Sequence, residues 1–147
     1  MRFLVDAWGW YALGNARDPQ RDHVETFYRG LRQVGALIYT TDYILDETIT
    51  LLFRRISSST ARPFTQGLLD AIAQGHLRQE EITADRLKRA WGLRERLHDR
   101  PMISFTDLTS FVVMQDLRLS QVVTDDVHFS QIGMGFQVLP GRSEKRQ

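Results

Sequence analysis

Four short apolar runs, rich in β-branched residues and held apart by segments of helical period, restrict this chain to a small set of folds. They are "RFLVD" at residues 2–6, "ALIYTT" at 36–41, "SQVVT" at 120–124 and "FQVLP" at 136–140. Runs of four to six such residues without polar alternation read as strands buried on both faces. Between them the period changes. "HVETFYRGLRQVG" places Val24, Phe27, Tyr28, Leu31 and Val34 on one helical stripe and stops at Gly35. "DYILDETITLLFRR" follows Thr41, a candidate N-cap, with Asp42 in its first turn.

The rest of the chain continues the alternation. "ISSST" reads as a polar loop, "ARPFTQGLLDAIAQG" as a helix ending at Gly75, and "HLRQEEI" as a candidate edge strand. Thr83 caps "ADRLKRAWGLRERLHD", in which Leu87, Trp91 and Leu97 are the inward candidates. "SFTDLTSFVVMQDLRL" is a more apolar, buried helix, and "DVHFSQIG" a short one. Strands alternating with helices predict βαβ units, hence an α/β fold with a central, mainly parallel sheet and helices on both faces. Residues 1–140 are expected to form one domain. The tail 141–147, "GRSEKRQ", lacks apolar anchors and is expected to be disordered.

Several chemistries are excluded at once. The chain has no cysteine, so disulfides, cysteine-ligated zinc, iron–sulfur clusters and thiol nucleophiles are absent. "GMGF" precedes a strand and does not complete a dinucleotide fingerprint, and neither a phosphate-cradling Gly-Lys-Ser/Thr loop nor a Gly-x-Ser-x-Gly elbow occurs. The four histidines show no metal-binding spacing. A formal net charge of +1 argues against a polybasic nucleic-acid coat while allowing a local basic patch. No apolar run approaches the ~18–20 residues of a membrane span, and "MRFLVDAWGW" lacks a signal-peptide core. A cytoplasmic protein is the expectation.

Carboxylates remain. Sites in open α/β sheets form beyond the carboxyl ends of the strands. Asp6 follows "FLV", Asp125 and Asp126 follow "VVT", and Asp107 opens "DLTSFVVM" just after "ISFT". Glu47 lies between Ile44 (i−3) and Leu51 (i+4) on a semi-buried helix face, whereas Asp42 and Asp46 turn elsewhere, towards solvent. Taken singly, Asp6, Asp107 and Asp126 also read as helix caps or first-turn acids, and Glu47 as one half of an arginine pair. Taken together, acids gathered at one sheet edge repel each other and resist desolvation. A hard divalent cation such as Mg²⁺ or Mn²⁺ removes that penalty, and its waters supply a nucleophile for phosphoryl chemistry.

With "FLVDAWGW", "YILDETITLL", "SFTDLTSF" and "TDDVHF…GMGFQVLP" in this order, the chain resembles the PIN-domain family, specifically its VapC-type toxins, over roughly residues 2 to 140. The resemblance implies a three-layer α/β/α fold and a metal-dependent ribonuclease. It implies that Asp6, Glu47, Asp107 and Asp126 hold one or two Mg²⁺ or Mn²⁺ ions. It also implies a partner antitoxin that inserts an arginine-bearing tail towards the acidic pocket, and a homodimer. Thr124 and Phe129 frame Asp126 in the family's T-x-D-x-x-F form. Asp125 falls on its variable position, as a helper ligand, a substitute or a helix cap. Thr106 reads as an N-cap that otherwise orients a water. The basic helix around Arg86, Lys88, Arg89, Arg94 and Arg96 reads as a solvated face with a core Trp91. Trp8 and Trp10 read as packing residues, Arg54 and Arg55 as surface charge, and His128 as an ordinary helix residue. Two other functions share these features: a protein-binding module with structural acids, and a phosphohydrolase acting on DNA or a small phosphoester.

Overall fold

In a computed structural model that describes residues 1–141, five strands form one sheet in the order β3-β2-β1-β4-β5. They are β1 (Arg2–Val5), β2 (Leu37–Thr41), β3 (Arg78–Glu80), β4 (Gln121–Thr124) and β5 (Gln137–Pro140). Every ladder is parallel, so the sheet is wholly rather than mainly so. Parallel strands need covered faces, and this explains the unalternating apolar runs: Phe3, Leu4, Val5, Val122 and Val123 are all buried. "HLRQEEI" supplies the edge strand β3. The tail expected at 141–147 falls, beyond Gly141, outside the described residues.

Among the described residues seven helices connect the strands: α1 (Ala7–Gly14), α2 (Arg21–Gln33), α3 (Asp42–Arg55), α4 (Ser58–Ala73), α5 (Ala84–Arg96), α6 (Phe105–Leu117) and α7 (His128–Gln131). The chain runs outward from β1 to β2 and β3, then returns past β1 to β4 and β5. Because parallel crossovers are right-handed, this reversal puts helices on opposite faces. It also opens a crevice between the carboxyl ends of β1 and β4, the switch point where such sheets hold ligands. None of the helices is long and apolar enough to cross a membrane.

Local signals account for most boundaries. The Thr41 hydroxyl accepts from the Ile44 amide at 3.0 Å and that of Thr83 from the Arg86 amide at 3.2 Å, capping α3 and α5. Gly35, at φ +71°, turns the chain out of α2 through the left-handed region.

Four expectations are corrected. Ser58–Thr60, assigned to a loop, form the first turn of α4, with Ser57 at the N-cap. Leu87 and Trp91 do not point inward. They are 42% and 54% exposed, because α5 packs on α6 through Ala90 and Leu93 instead. That rotation is held by Asp116 of α6, which pairs with Arg86 at 3.0 Å and Arg89 at 2.7 Å. Val34 lies past the end of α2 and is exposed. Asp42 does not turn to solvent: its carboxylate accepts from the Tyr43 and Ile82 amides, both at 3.0 Å, tying α3 to the segment after β3.

Packing of α1 on the sheet is unusually close at one point. A Cβ on Gly9 would stand 2.9 Å from Val5 Cγ1 and 3.2 Å from the Val123 carbonyl oxygen. Helix α1 therefore rests on the Val5 and Val123 side chains with no room for a side chain at position 9. Gly9→Ala should destabilise the protein by about 1–3 kcal/mol through this overpacking. A shift of the urea midpoint at unchanged slope would show it. No shift would mean that α1 moves away freely.

Candidate active site

Asp6 is placed by β1. Its amide continues the β1–β4 ladder to the Val123 carbonyl at 3.1 Å, and its side chain enters the crevice at the switch point. Although it stands at the N-cap of α1, its carboxylate makes no cap bond, so the capping explanation fails. Oδ2 accepts from the Thr124 hydroxyl at 3.0 Å. Oδ1 is buried without a hydrogen-bond partner. A carboxylate oxygen in that position is costly unless a cation or proton meets it.

Thr124, the last residue of β4, is fully buried and works in two directions. While donating to Asp6 it accepts from the Asp126 amide at 3.1 Å. One hydroxyl thus locks the ends of adjacent strands and sets the turn that carries Asp125 and Asp126. Asp126 Oδ1 accepts from the His128 amide at 2.9 Å. Asp126, proposed from sequence as a metal ligand, therefore also serves the helix through its own carboxylate. His128 Nδ1 also lies 2.9 Å from that oxygen, and Asp107, Asp126 and His128 offer ligand atoms within 4.8 Å of one another. His128, read from sequence as an ordinary helix residue, belongs to the site. Its place two residues after Asp126, where an aspartate accepts the i+2 amide, was the available signal.

Asp107 lies in the first turn of α6. The N-cap there is Ser104, whose hydroxyl accepts from the Asp107 amide at 3.0 Å. Thr106 does not cap, and it is not among the residues lining the cleft, whereas Ser104 is. Glu47 lies on α3 beside the same space, and no arginine pairs with it among the described residues. Ile44 beneath it is fully buried, and Leu51 lines the cleft, as the helical spacing requires.

The result is a cleft of about 640 Å³ onto which Asp6, Glu47, Asp107, Asp125 and Asp126 all open. Asp18, from the α1–α2 connection, joins them. No sequence signal distinguished it from a turn residue. Of the two early tryptophans, Trp10 is buried, with its indole N–H 3.3 Å from the Thr40 hydroxyl, while half-buried Trp8 lines the cleft.

Crowding and burial act on the protons. Burial pushes the Asp6 carboxyl up from 3.8 to about 7, and the nearby charges of Glu47 and Asp126 add to the effect. Asp107 is raised too, by burial first and then by Asp6, Asp126 and Glu47. Glu47 is raised by partial burial, with Asp46 and Asp126 contributing. Each acid is held where its negative charge is poorly solvated and mutually opposed. Such a set fits a hard divalent cation, which takes oxygen ligands and tolerates an additional imidazole.

No protein-family model matches the chain. Individual proteins do. The 23S rRNA-specific endonuclease VapC20 of Mycobacterium tuberculosis (strain CDC 1551 / Oshkosh) is 33% identical over 130 residues, spanning 88% of this chain and 93% of the relative. The same protein in strain ATCC 25618 / H37Rv matches equally. The crystal structure of Mycobacterium tuberculosis VapC20, described as a sarcin–ricin loop cleaving toxin, superposes with a TM-score of 0.76 at 31% identity, covering 89% of this chain and 95% of that one. VapBC2 of Rickettsia felis, bound to a promoter DNA fragment, superposes at 0.67 with 14% identity over 94% of this chain and 97% of its own, a likeness of fold alone. With this identity along almost the whole length, the doubly wound sheet and the acids at its switch point, the chain belongs to the VapC family of PIN-domain toxin ribonucleases.

Proposed function

We propose that this ribonuclease is the toxin of a toxin–antitoxin pair, acting in the cytoplasm on 23S rRNA at the sarcin–ricin loop. In this reading Asp6, Glu47, Asp107 and Asp126 hold one or two Mg²⁺ or Mn²⁺ ions. The observation that carries it is the convergence of four acids from four separate elements on one cleft, in a chain 33% identical to a 23S rRNA-specific endonuclease. The buried, unpartnered Asp6 Oδ1 supports a cation there, since no protein group within the described residues satisfies it.

When bound, such an ion offsets charge developing on a phosphoryl oxygen and acidifies a water. The chain's own residues prepare the place. Thr124 fixes the Asp6 carboxylate and the Asp126 backbone through one hydroxyl. The His128 amide orients the Asp126 carboxylate through Oδ1. Ser104 anchors the amide from which Asp107 projects. Asp125, beside Asp126 on the cleft wall, is an auxiliary acid. Because these supports are hydrogen bonds to strand ends and helix caps, the acids are held in place before substrate arrives.

The direct test is incubation of intact ribosomes with the protein in Mg²⁺, followed by primer extension along 23S rRNA. One strong stop in the sarcin–ricin loop, lost with EDTA and with the cognate antitoxin, is expected. Stops elsewhere, or cleavage insensitive to chelation, would sink the assignment.

A further inference from the structure

A six-acid cleft is a poor receptor for a polyanion, and even two divalent ions would leave it without a surplus of positive charge. Arg55, at the last turn of α3, is the one cationic side chain among the cleft-lining residues. Its guanidinium stands 5.6 Å from the centre of the Tyr11 ring, itself part of the cleft wall. Arg55 also lines a second cavity of about 370 Å³, so the two spaces share this residue as a common wall. The second cavity is of opposite character: its other charged side chain is Arg17, Ser57 and Thr60 line it with their hydroxyls bonded to each other at 3.1 Å, and no carboxylate is in the lining. Among the described residues neither Arg17 nor Arg55 pairs with a carboxylate, in contrast to Arg86 and Arg89, which are spent on Asp116.

We propose that Arg55 and Arg17, with the Ser57 and Thr60 hydroxyls, form a phosphate subsite that grips the RNA backbone next to the cleaved bond. The proposal rests on the ribonuclease reading and adds to it the direction in which the strand leaves the cleft: past Tyr11, over Arg55, into the cavity between the α1–α2 connection and the start of α4. Guanidinium groups with unfilled donors suit phosphate oxygens. A cation stacked on a tyrosine ring keeps its edge free for such bonds. Contacts of this type position a strand without reading its bases, so the subsite contributes affinity and register while other parts of the surface choose the sequence. From sequence Arg55 reads as surface charge, because nothing along the chain tells a helix-end arginine facing solvent from one facing a cleft.

The test is binding of a fluorescein-labelled oligouridylate 15-mer in EDTA, followed by anisotropy from about 50 to about 200 mM salt, where backbone contacts dominate. Arg17→Ala/Arg55→Ala should weaken binding about tenfold or more and reduce the slope of log K against log salt by about 1.4, at ~0.7 per phosphate on a single strand. Arg17→Lys/Arg55→Lys should recover the slope, since a point charge still displaces counterions. In cleavage assays the alanine pair should raise KM and leave kcat near wild type. Wild-type affinity and slope in the alanine pair would overturn the subsite, as would a wild type that does not bind the oligomer. A protein that binds with the expected slope but cuts no RNA would instead overturn the ribonuclease reading and leave the subsite standing.

Discussion

Asp6→Asn is expected to reduce ribonuclease activity about a thousandfold, the equivalent of several kcal/mol of lost charge stabilisation, and at the same time to raise the melting temperature of the ion-free protein at pH 8. The two effects have one cause. Asp6 is buried, one of its oxygens has no partner, and its carboxyl is pushed up to about 7, so its charge is a burden to the folded chain unless a cation is present. Asparagine keeps the shape and an acceptor for the Thr124 hydroxyl, and its amide group donates where the carboxylate could only repel. A residue retained for packing or capping would behave in the opposite way, losing stability with no specific loss of activity. Circular dichroism melts in EDTA beside a cleavage assay in Mg²⁺ decide it. Intact activity in Asp6→Asn would remove Asp6 from the catalytic set.

The second large effect is a pH dependence that inverts when metal is added. Asp6 binds its proton more tightly in the folded state, from 3.8 up to about 7, and Asp107 is shifted in the same direction. A carboxyl whose folded value is raised stabilises the fold fully below about pH 4 and loses that contribution as pH rises through about 7. In EDTA the melting temperature should therefore fall between about pH 5 and pH 8. Millimolar Mn²⁺ at pH 8 should restore it, by about 2.7 kcal/mol at a hundred times the dissociation constant. In Asp6→Asn both the fall and the rescue should shrink. A protein-binding module with structural acids predicts no Mn²⁺ effect at either pH, and that result would return the chain to that class.

Much of the architecture could be read along the chain because it rests on local physics. β-Branched runs, threonine caps at positions 41 and 83, and a glycine stop at 35 each act within a few residues. The four acids could be read for a related reason: in a parallel sheet the residue after each strand lies at the carboxyl edge, so Asp6 and the Asp125–Asp126 pair were placed by their strands. Errors arose where rotation about an axis mattered. Helical period alone did not say which stripe of α5 met α6. Asp116, 27 and 30 residues away from its partners, made that choice by binding Arg86 and Arg89, and it left Trp91 outside.

Sequence by itself determined that this chain would form a parallel α/β sheet with carboxylates at its carboxyl edge, since strand length, helical period and capping are short-range properties. Tertiary structure decided which side chains share the cleft and in what state. It brought Asp107, Asp126 and His128 within reach of one another, removed Thr106 in favour of Ser104, and set Arg55 between an acidic cleft and a basic cavity. Those relations depend on distances between elements far apart in the chain, and on the desolvation that only the packed crevice between β1 and β4 creates.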